Sequence, residues 1–423
     1  MNIWLINPHD AIPGELWGYK HGMILAETLA SRGHEVTYWA SNFAHATKQF
    51  RCKGWGEMRI SHNLRIILVP IISYTKHVSV KRVVSLLIYY CRVWRRSRLE
   101  SKPDCLIVTM TSPFSDYITV KVSKWHTAAL ITDFRDLWPE VFATVLPKGL
   151  RVLANVILFP FYYSRRYALK NSHAVIAVCQ TYLDLARKIA PNLNGKPSAI
   201  IYSTGVRLND FRAMMHNAEH DAEIPAKNEG EVWAIYAGTL GAKYDISTLM
   251  EAARILSENP EARNIKIIVA GDGPLGQTLT EFIGQHRLEN LVYVGVLDMP
   301  RLSRYYAKSD IGLCTYAPDS TVVIPAKTFD YYAAGLPIVN SLRGEFADYL
   351  RQEGIGILYE AGDPFSLATA LLELASDPQR RETMKRRLQE IAPMFDCDRQ
   401  YAHIFDLLPP EERRKGEYSQ RSV

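Results

Sequence analysis

Short apolar runs alternate with helix-patterned stretches along almost the whole chain, and the alternation is completed twice with a polar interruption between the two series. Apolar runs of this length, bounded by turn residues, read as buried strands, and strands separated by helices pair in parallel because each helix carries the chain back across the sheet. Residues 3–7 open the first series. A helical pattern over 15–32 stops at Gly33, and Glu35-Val-Thr-Tyr-Trp-Ala40 supplies the next strand, giving a strand-helix-strand unit. Leu64–Pro70, Cys105–Thr109, Ala129–Asp133, Ala174–Val178 and Ala199–Tyr202 continue it. The second series places strands at Val232–Tyr236, Ile265–Val269, Leu291–Val294, Ile311–Thr315, Pro337–Asn340 and Gly356–Tyr359, with helices at 246–258, 275–287, 300–308, 325–334, 346–353 and 364–376. Residues 214–231 between the series are polar and aperiodic, as a connector is. At 423 residues the chain exceeds one ordinary core. The expected fold class is therefore α/β, with two doubly wound parallel-sheet domains over 1–210 and 211–390. A terminal segment, 391–423, is expected to return as a helix to the first domain and end in a polar tail; the final helical stretch, about 379–408, is expected to cross back to the first domain and form part of the hinge.

With 48% apolar and 22% charged residues, composition excludes a disordered, collagenous or disulfide-built chain. The six cysteines form no C-x-x-C pair and no zinc spacing, which fits reduced thiols in a cytoplasmic protein. The first residues read as a buried strand and not as a signal peptide. Charge is unevenly placed: residues 1–210 hold 27 Lys and Arg against 13 Asp and Glu, whereas the rest hold 23 against 31. The first half is thus expected to meet something anionic, a phospholipid surface or a pyrophosphate-linked acceptor as readily as nucleic acid. Leu64–Tyr74, Lys81–Arg98 and Leu150–Lys170 mix apolar and basic residues but lack the run of about 18 apolar residues that spans a membrane. Lys81–Arg98 reads equally as a helix lying on an anionic membrane face and as a core helix with a solvated basic end.

Several segments carry chemistry. Tyr236-Ala-Gly-Thr-Leu-Gly-Ala-Lys243 puts Gly238 and Thr239 just after a strand and Lys243 ahead of a helix, where small residues admit a diphosphate and helix amides face it. The plain alternative is a glycine turn beside an exposed lysine. Lys327 can reach phosphates from its helix or can be a solvated surface lysine. Asp133-Phe-Arg-Asp-Leu-Trp-Pro-Glu140 leaves a strand at the carboxyl edge of the sheet, the edge where open α/β folds place ligands. Asp136 there can orient an acceptor hydroxyl or balance developing positive charge. Alternatively Arg135 and Asp136 staple the loop beneath Trp138. Asp396-Cys-Asp398 has D-x-D spacing but lies among terminal helices, so exposed acids are expected and no metal is implied.

Taken in order, Asn7-Pro8 with Pro13-Gly14-Glu15, Arg32-Gly-His-Glu-Val36, the Asp133–Glu140 box, Tyr236–Gly241, Gly271-Asp-Gly-Pro274 and Pro325–Pro337 make the sequence resemble the retaining glycosyltransferases of family 4 over nearly its whole length. The box resembles the branch that builds bacterial capsule, O-antigen and exopolysaccharide. The resemblance implies the GT-B architecture of two Rossmann-like domains facing a cleft. It also implies front-face transfer of a hexose-type sugar from a nucleotide diphosphate, most commonly uridine-linked, to a lipid-linked or polysaccharide acceptor with retention. Catalytic residues by this resemblance are Arg135, Asp136 and Lys243, Arg135 standing where many relatives have histidine. Donor-binding residues are Gly14, Gly238, Thr239, Lys243, Gly271, Leu297, Lys327 and Asp330, with Asp330 on the nucleotide ribose. Many relatives have a second acid eight residues earlier, at the position held here by Val322. Implied partners are the nucleotide sugar, a polyprenyl-diphosphate-linked sugar and an anionic membrane at the inner face of the plasma membrane, with no nucleic acid. No cofactor or metal is implied. Two rivals remain: a nucleotide-sugar epimerase or dehydrogenase, whose G-x-G-x-x-G is missing from Asn7–Trp17, and a non-catalytic membrane-associated subunit of the same fold, suggested by Val322.

Overall fold

A computed structural model describes residues 1–15, 20–75, 79–110, 115–137, 139–140, 153–216 and 224–410. Trp138 and the tail from 411 lie outside the described residues. The chain forms two units, one of Met1–Gly205 joined by the chain from Gln400, the other of Val206–Arg399.

The first unit is built on strands β1 (Asn2–Ile6), β2 (Glu35–Ser41), β3 (Phe43–Ala44), β4 (Gln49–Phe50), β5 (Gly56–Arg59), β6 (Leu64–Val69), β7 (Cys105–Thr109), β8 (Ala129–Phe134), β9 (Ala174–Ala177) and β10 (Ser198–Ile200). Its sheet runs β10-β9-β8-β7-β1-β2-β6-β5. All pairings are parallel except β5 on β6. Every residue of β7 is buried, as expected where helices cover both faces of a parallel sheet. The strand order reverses at β1, which pairs with β2 on one side and β7 on the other. Edge strand β5, Gly-Glu-Met-Arg, alternates half-buried and exposed positions, and the β3–β4 hairpin is two residues per strand. Neither has the apolar run that announces a strand in sequence.

The helix Val80–Ser97 settles the packing of Lys81–Arg98. Ser79 caps it by accepting the Arg82 N–H, Leu86, Tyr89, Tyr90 and Val93 are buried, and Arg95 and Arg96 sit in its last turn, where they complement the helix dipole. One face is therefore core, while Val80, Val84 and Leu87 on the other remain exposed. The first helix of the unit begins at His21, later than the periodicity over 15–32 predicts.

The second unit has strands β11 (Val232–Ala237), β12 (Ile265–Ala270), β13 (Leu291–Gly295), β14 (Ile311–Cys314), β15 (Ile338–Asn340) and β16 (Gly356–Leu358). They are wholly parallel in the order β13-β12-β11-β14-β15-β16, with the reversal between β11 and β14. Helices at Ile246–Glu258, Gly276–His286, Met299–Lys308, Lys327–Ala334 and Glu345–Glu353 connect them, and the helix Pro364–Ser376 follows β16.

The chain rejoins the first unit near its end. The long helix Pro378–Ile391 stays in the second unit, and the change of unit falls inside the short helix Cys397–Ala402. Hydrogen bonds explain the position. Cys397 N–H donates to Val206 O and Asp396 Oδ2 accepts Leu208 N–H, while Gln400 accepts Tyr202 N–H and Tyr401 bonds His21. Asp396 also accepts the Asp398 N–H, and Asp398 pairs with Arg207, so both acids of the D-x-D serve the local fold.

Candidate functional site

Loops leaving the carboxyl ends of strands at an order reversal diverge and leave space between them, which is where open α/β sheets bind ligands. In the second unit those loops follow β11 and β14. They are tied together: Thr315 Oγ1 donates to Tyr244 O, Ala317 N–H donates to Lys243 O, and the Tyr244 and Tyr316 rings lie 5.5 Å apart.

Beside them Lys327 opens its helix. Its Nζ lies 3.6 Å from the Tyr236 ring centroid and 5.9 and 5.7 Å from those of Tyr244 and Tyr316. The ammonium is buried and has no hydrogen-bond partner among the described residues. Three rings stabilise the cation through their π faces, yet none accepts its protons. Burial carries its pKa down to about 8 against the opposing pull of Cys314 and Asp330. The solvated-surface alternative for Lys327 is thereby excluded. Gly238 adjoins this ammonium, since a Cβ there would lie 3.1 Å from Nζ.

Asp330 is one helical turn on. Burial raises its carboxyl to about 7, although Tyr306 Oη donates to Oδ2 at 3.3 Å and Lys327 opposes the rise. A desolvated carboxylate with one donor retains capacity to accept from a diol. Lys243 is exposed on the turn Ala242–Tyr244 and enters no ion pair among the described residues. Thr239 is exposed and its carbonyl accepts the Tyr236 hydroxyl. Gly271 has a structural reason to be glycine: a Cβ would stand 1.8 Å from Gly238 O, because the loops after β11 and β12 pack backbone to backbone. Leu297 is half-buried beyond β13. Lys327, Gly238 and Gly271 thus converge, and Asp330 flanks them. A groove of about 890 Å³ lined by Arg212, Lys308, Pro337 and Arg381 lies at the amino ends of β14 and β15 and holds none of these residues.

In the first unit the corresponding loops leave β1, β7 and β8. Asp133, wholly buried at the end of β8, accepts His21 Nε2 at 2.9 Å and Thr109 Oγ1 at 3.1 Å, and Arg135 Nε lies 2.9 Å from its Oδ1. Burial pushes this carboxyl up, but Arg135 and His21 together bring it down to about 2. His21 Nδ1 is 2.7 Å from Tyr401 Oη, and burial with the Arg135 charge lowers the imidazole to about 4. His21 is neutral at ordinary pH and positions Asp133. Arg135 also donates to Ser203 Oγ and Ile201 O, so its partner is Asp133 and not Asp136. Asp136 is exposed and acts electrostatically on Arg82. Gly14 has φ +93°, and a Cβ there would meet open space among the described residues, so its backbone angle alone favours glycine. Asp10, unforeseen from sequence, is buried, raised to about 6 by that burial, and accepts the Gly22 N–H that opens the first helix. Among the described residues no group of three or more His, Cys, Asp or Glu side chains is placed to hold a metal.

These two sheets, with reversals at β1 and between β11 and β14, define a GT-B fold of paired Rossmann-like units. Residues 217–390, which contain Gly238, Thr239, Lys243, Gly271, Leu297, Lys327 and Asp330, match the family described as glycosyl transferases group 1. A D-inositol 3-phosphate glycosyltransferase of Catenulispora acidiphila is 27% identical over 154 residues, 35% of this chain and 35% of its own length. One from Thermobispora bispora is 26% identical over 207 residues, 46% of each chain. The chain therefore matches less than half the length of either relative. Among solved structures, sucrose-phosphate synthase from Thermosynechococcus elongatus is similar with TM-score 0.70 at 16% identity, covering 96% of this chain and 98% of that one. Anabaena Alr3699/HepE in complex with UDP gives 0.66 at 15%, covering 96% and 99%. At such identities the likeness is one of fold.

Proposed function

We propose that the protein is a retaining glycosyltransferase of family 4 that moves a sugar from a nucleotide diphosphate, UDP by preference, to a lipid-linked or polysaccharide acceptor in bacterial surface-polysaccharide synthesis. The observation that carries this reading is the buried Lys327 ammonium, without a hydrogen-bond partner among the described residues, beside Gly238 at the order reversal of the second sheet. A desolvated cation with no acceptor is a costly arrangement unless an anion completes it, and a diphosphate has the required oxygens. Asp330 would accept the ribose hydroxyls, and Lys243 would reach the leaving diphosphate from its exposed turn.

In the proposed reaction the bond from the anomeric carbon to the diphosphate oxygen breaks, and the electron pair leaves with the nucleotide. The acceptor oxygen bonds to the same face of that carbon, and its proton passes to the departing phosphate. Lys327 and the turn amides offset charge as it develops, which is the largest service a preorganised site supplies. Asp136 would orient the acceptor hydroxyl, and Arg135 would act by holding Asp133.

Peripheral attachment to an anionic membrane is supported by the exposed side of the first unit's helices. Arg98 there lies 4.4 and 5.1 Å from the rings of Trp94 and Trp125, and Phe159 and Tyr163 are exposed on a helix that also carries basic residues. Calorimetric titration with UDP-sugars, GDP-sugars and NAD tests the donor. Binding of a nucleotide sugar that disappears in Lys327→Ala is expected. Tight NAD binding without nucleotide-sugar binding would replace this reading with the dehydrogenase one.

A further inference from the structure

A second concentration of positive charge lies in the first unit, outside the residues used above. Three segments meet there: the loop after β1 brings His9, the β3–β4 turn brings His45 and Lys48, and the first turn of the helix Val80–Ser97 brings Arg82. The His9 and His45 rings are 4.8 Å apart, and Arg82 Nη2 is 3.3 Å from His9 Nε2. Lys48 Nζ is 3.4 Å from His45 Nδ1, donates to His45 O, and lies 5.1 Å from the Tyr74 ring centroid, while Tyr74 Oη is 2.7 Å from the same Nδ1.

Of the two carboxylates beside the cluster, Glu15 is held by Arg51, and Asp136 offsets part of the Arg82 charge. Arg51 is close by, but its guanidinium is committed to both Glu15 oxygens, Ser41 O and Asp10 O, so Glu15 is used by Arg51. Asp136 is the carboxylate that acts on Arg82. Packing cations and imidazoles together out of water opposes their charges, and Lys48, Arg82 and His9 are all shifted toward their neutral forms, burial being the main cause. Lys48 closes the β3–β4 turn in a left-handed conformation, φ +58°, with its N–H donating to Ala44 O, and this sets its side chain beside His45.

We infer that His9, His45, Lys48 and Arg82 form an oxyanion site that takes the phosphate or diphosphate of the sugar acceptor. The assignment to an acceptor rests on the glycosyltransferase reading; the anion site itself does not. A phosphate would accept from Lys48 and Arg82, and the imidazoles would serve as further donors on gaining protons beside it. Asp136 shares this neighbourhood through Arg82, which would bring a phosphate-bearing acceptor to the residue proposed to orient its hydroxyl.

The test uses the full chain saturated with UDP, so that the Lys327 site is blocked, and titrates inorganic pyrophosphate. Binding is expected, with shifts of the His9 and His45 ring resonances, and Lys48→Met with Arg82→Gln should weaken it at least tenfold while melting temperature and UDP affinity hold. No pyrophosphate binding, or binding indifferent to both substitutions, overturns the site. If the substituted chain fails to fold, the ring resonances of the unsubstituted protein decide: no response to pyrophosphate overturns it. Absence of UDP binding alone would overturn the donor reading and leave the pyrophosphate arm to be read directly. Turnover with a prenyl-diphosphate sugar in detergent and with a soluble sugar phosphate separates the two sources. The acceptor that uses this site shows a raised KM in the doubly substituted protein; an unchanged KM for both acceptors overturns the assignment to an acceptor.

Discussion

The Lys327 ammonium rests 3.6 Å from the centroid of Tyr236 and a Cβ on Gly238 would lie 3.1 Å from it, so the turn after β11 and the helix that follows β14 enclose one charge. Replacing Lys327 by alanine removes a desolvated cation whose charged hydrogen bonds to an anion are worth about 1.5–3 kcal/mol. Donor affinity should fall by roughly 10- to 150-fold, measured by calorimetry with UDP. Melting temperature should not fall, because the substitution relieves an uncompensated buried charge. A melting drop without loss of affinity would make Lys327 a structural cation only.

The same pair sets a pH window. Asp330 must be ionised to accept from ribose, and burial holds it near pH 7. Lys327 must be protonated to bind phosphate, and burial holds it near pH 8. Nucleotide affinity should therefore be greatest between about pH 7 and 8, falling on the acid side as Asp330 gains a proton and on the alkaline side as Lys327 loses one. Asp330→Asn should flatten the acid limb alone. An affinity unchanged from pH 6 to 9 would separate these two groups from the donor.

Strands with continuous apolar runs, such as β7 and β11, were legible in the sequence because burial on both faces leaves no choice of residue. The edge strand β5 was not, since one of its faces is solvated and Glu57 and Arg59 fill it. Within the candidate site, the glycines after β11 and β12 and the Pro325–Pro337 segment lie on loops that the fold brings together. The relative standing of the lysines was hidden: Lys243 adjoins the glycines in sequence, whereas Lys327 reaches them only through the fold. Asp133 and His21 are 112 positions apart, and nothing local joins them before β8 and the first helix are placed.

Two glycines predicted to touch the donor separate structural from binding demands. Gly271→Ala drives a Cβ into Gly238 O and should cost about 3 kcal/mol or more by thermal unfolding. Gly14→Ala meets open space among the described residues and should cost only about 1–2 kcal/mol for its positive φ. If Gly14 lies over donor phosphates, its substitution raises the donor KM out of proportion to that small loss.

Asp133 is a buried carboxylate served by His21, Thr109 and Arg135, so removing its charge strands the Arg135 guanidinium. Asp133→Asn should destabilise the protein by about 3–5 kcal/mol, seen as a lower midpoint in urea. Its folded pKa, about 2, lies below the unfolded value, so its stabilisation is present above about pH 4 and is lost as pH falls toward 2. The substituted protein should lose that part of the acid dependence. An unchanged midpoint would mean that Arg135 is held by Ser203 and Ile201 alone.

The exposed aromatic and basic surface of the first unit makes the last prediction. Trp125 is 59% exposed and Phe159 64%, both on helices that also carry lysines or arginines. Aromatic side chains at that exposure gain by entering the interfacial region of a bilayer, and neighbouring cations add attraction to anionic lipid that salt screens. Co-sedimentation with vesicles containing anionic phospholipid should exceed that with neutral vesicles and weaken as KCl rises. Trp125→Ser with Phe159→Ser should reduce it several-fold without changing UDP affinity, because both residues belong to the first unit, whereas Lys327 and Asp330, proposed to hold the donor, belong to the second. Equal sedimentation with neutral and anionic vesicles would remove the electrostatic part of the attachment.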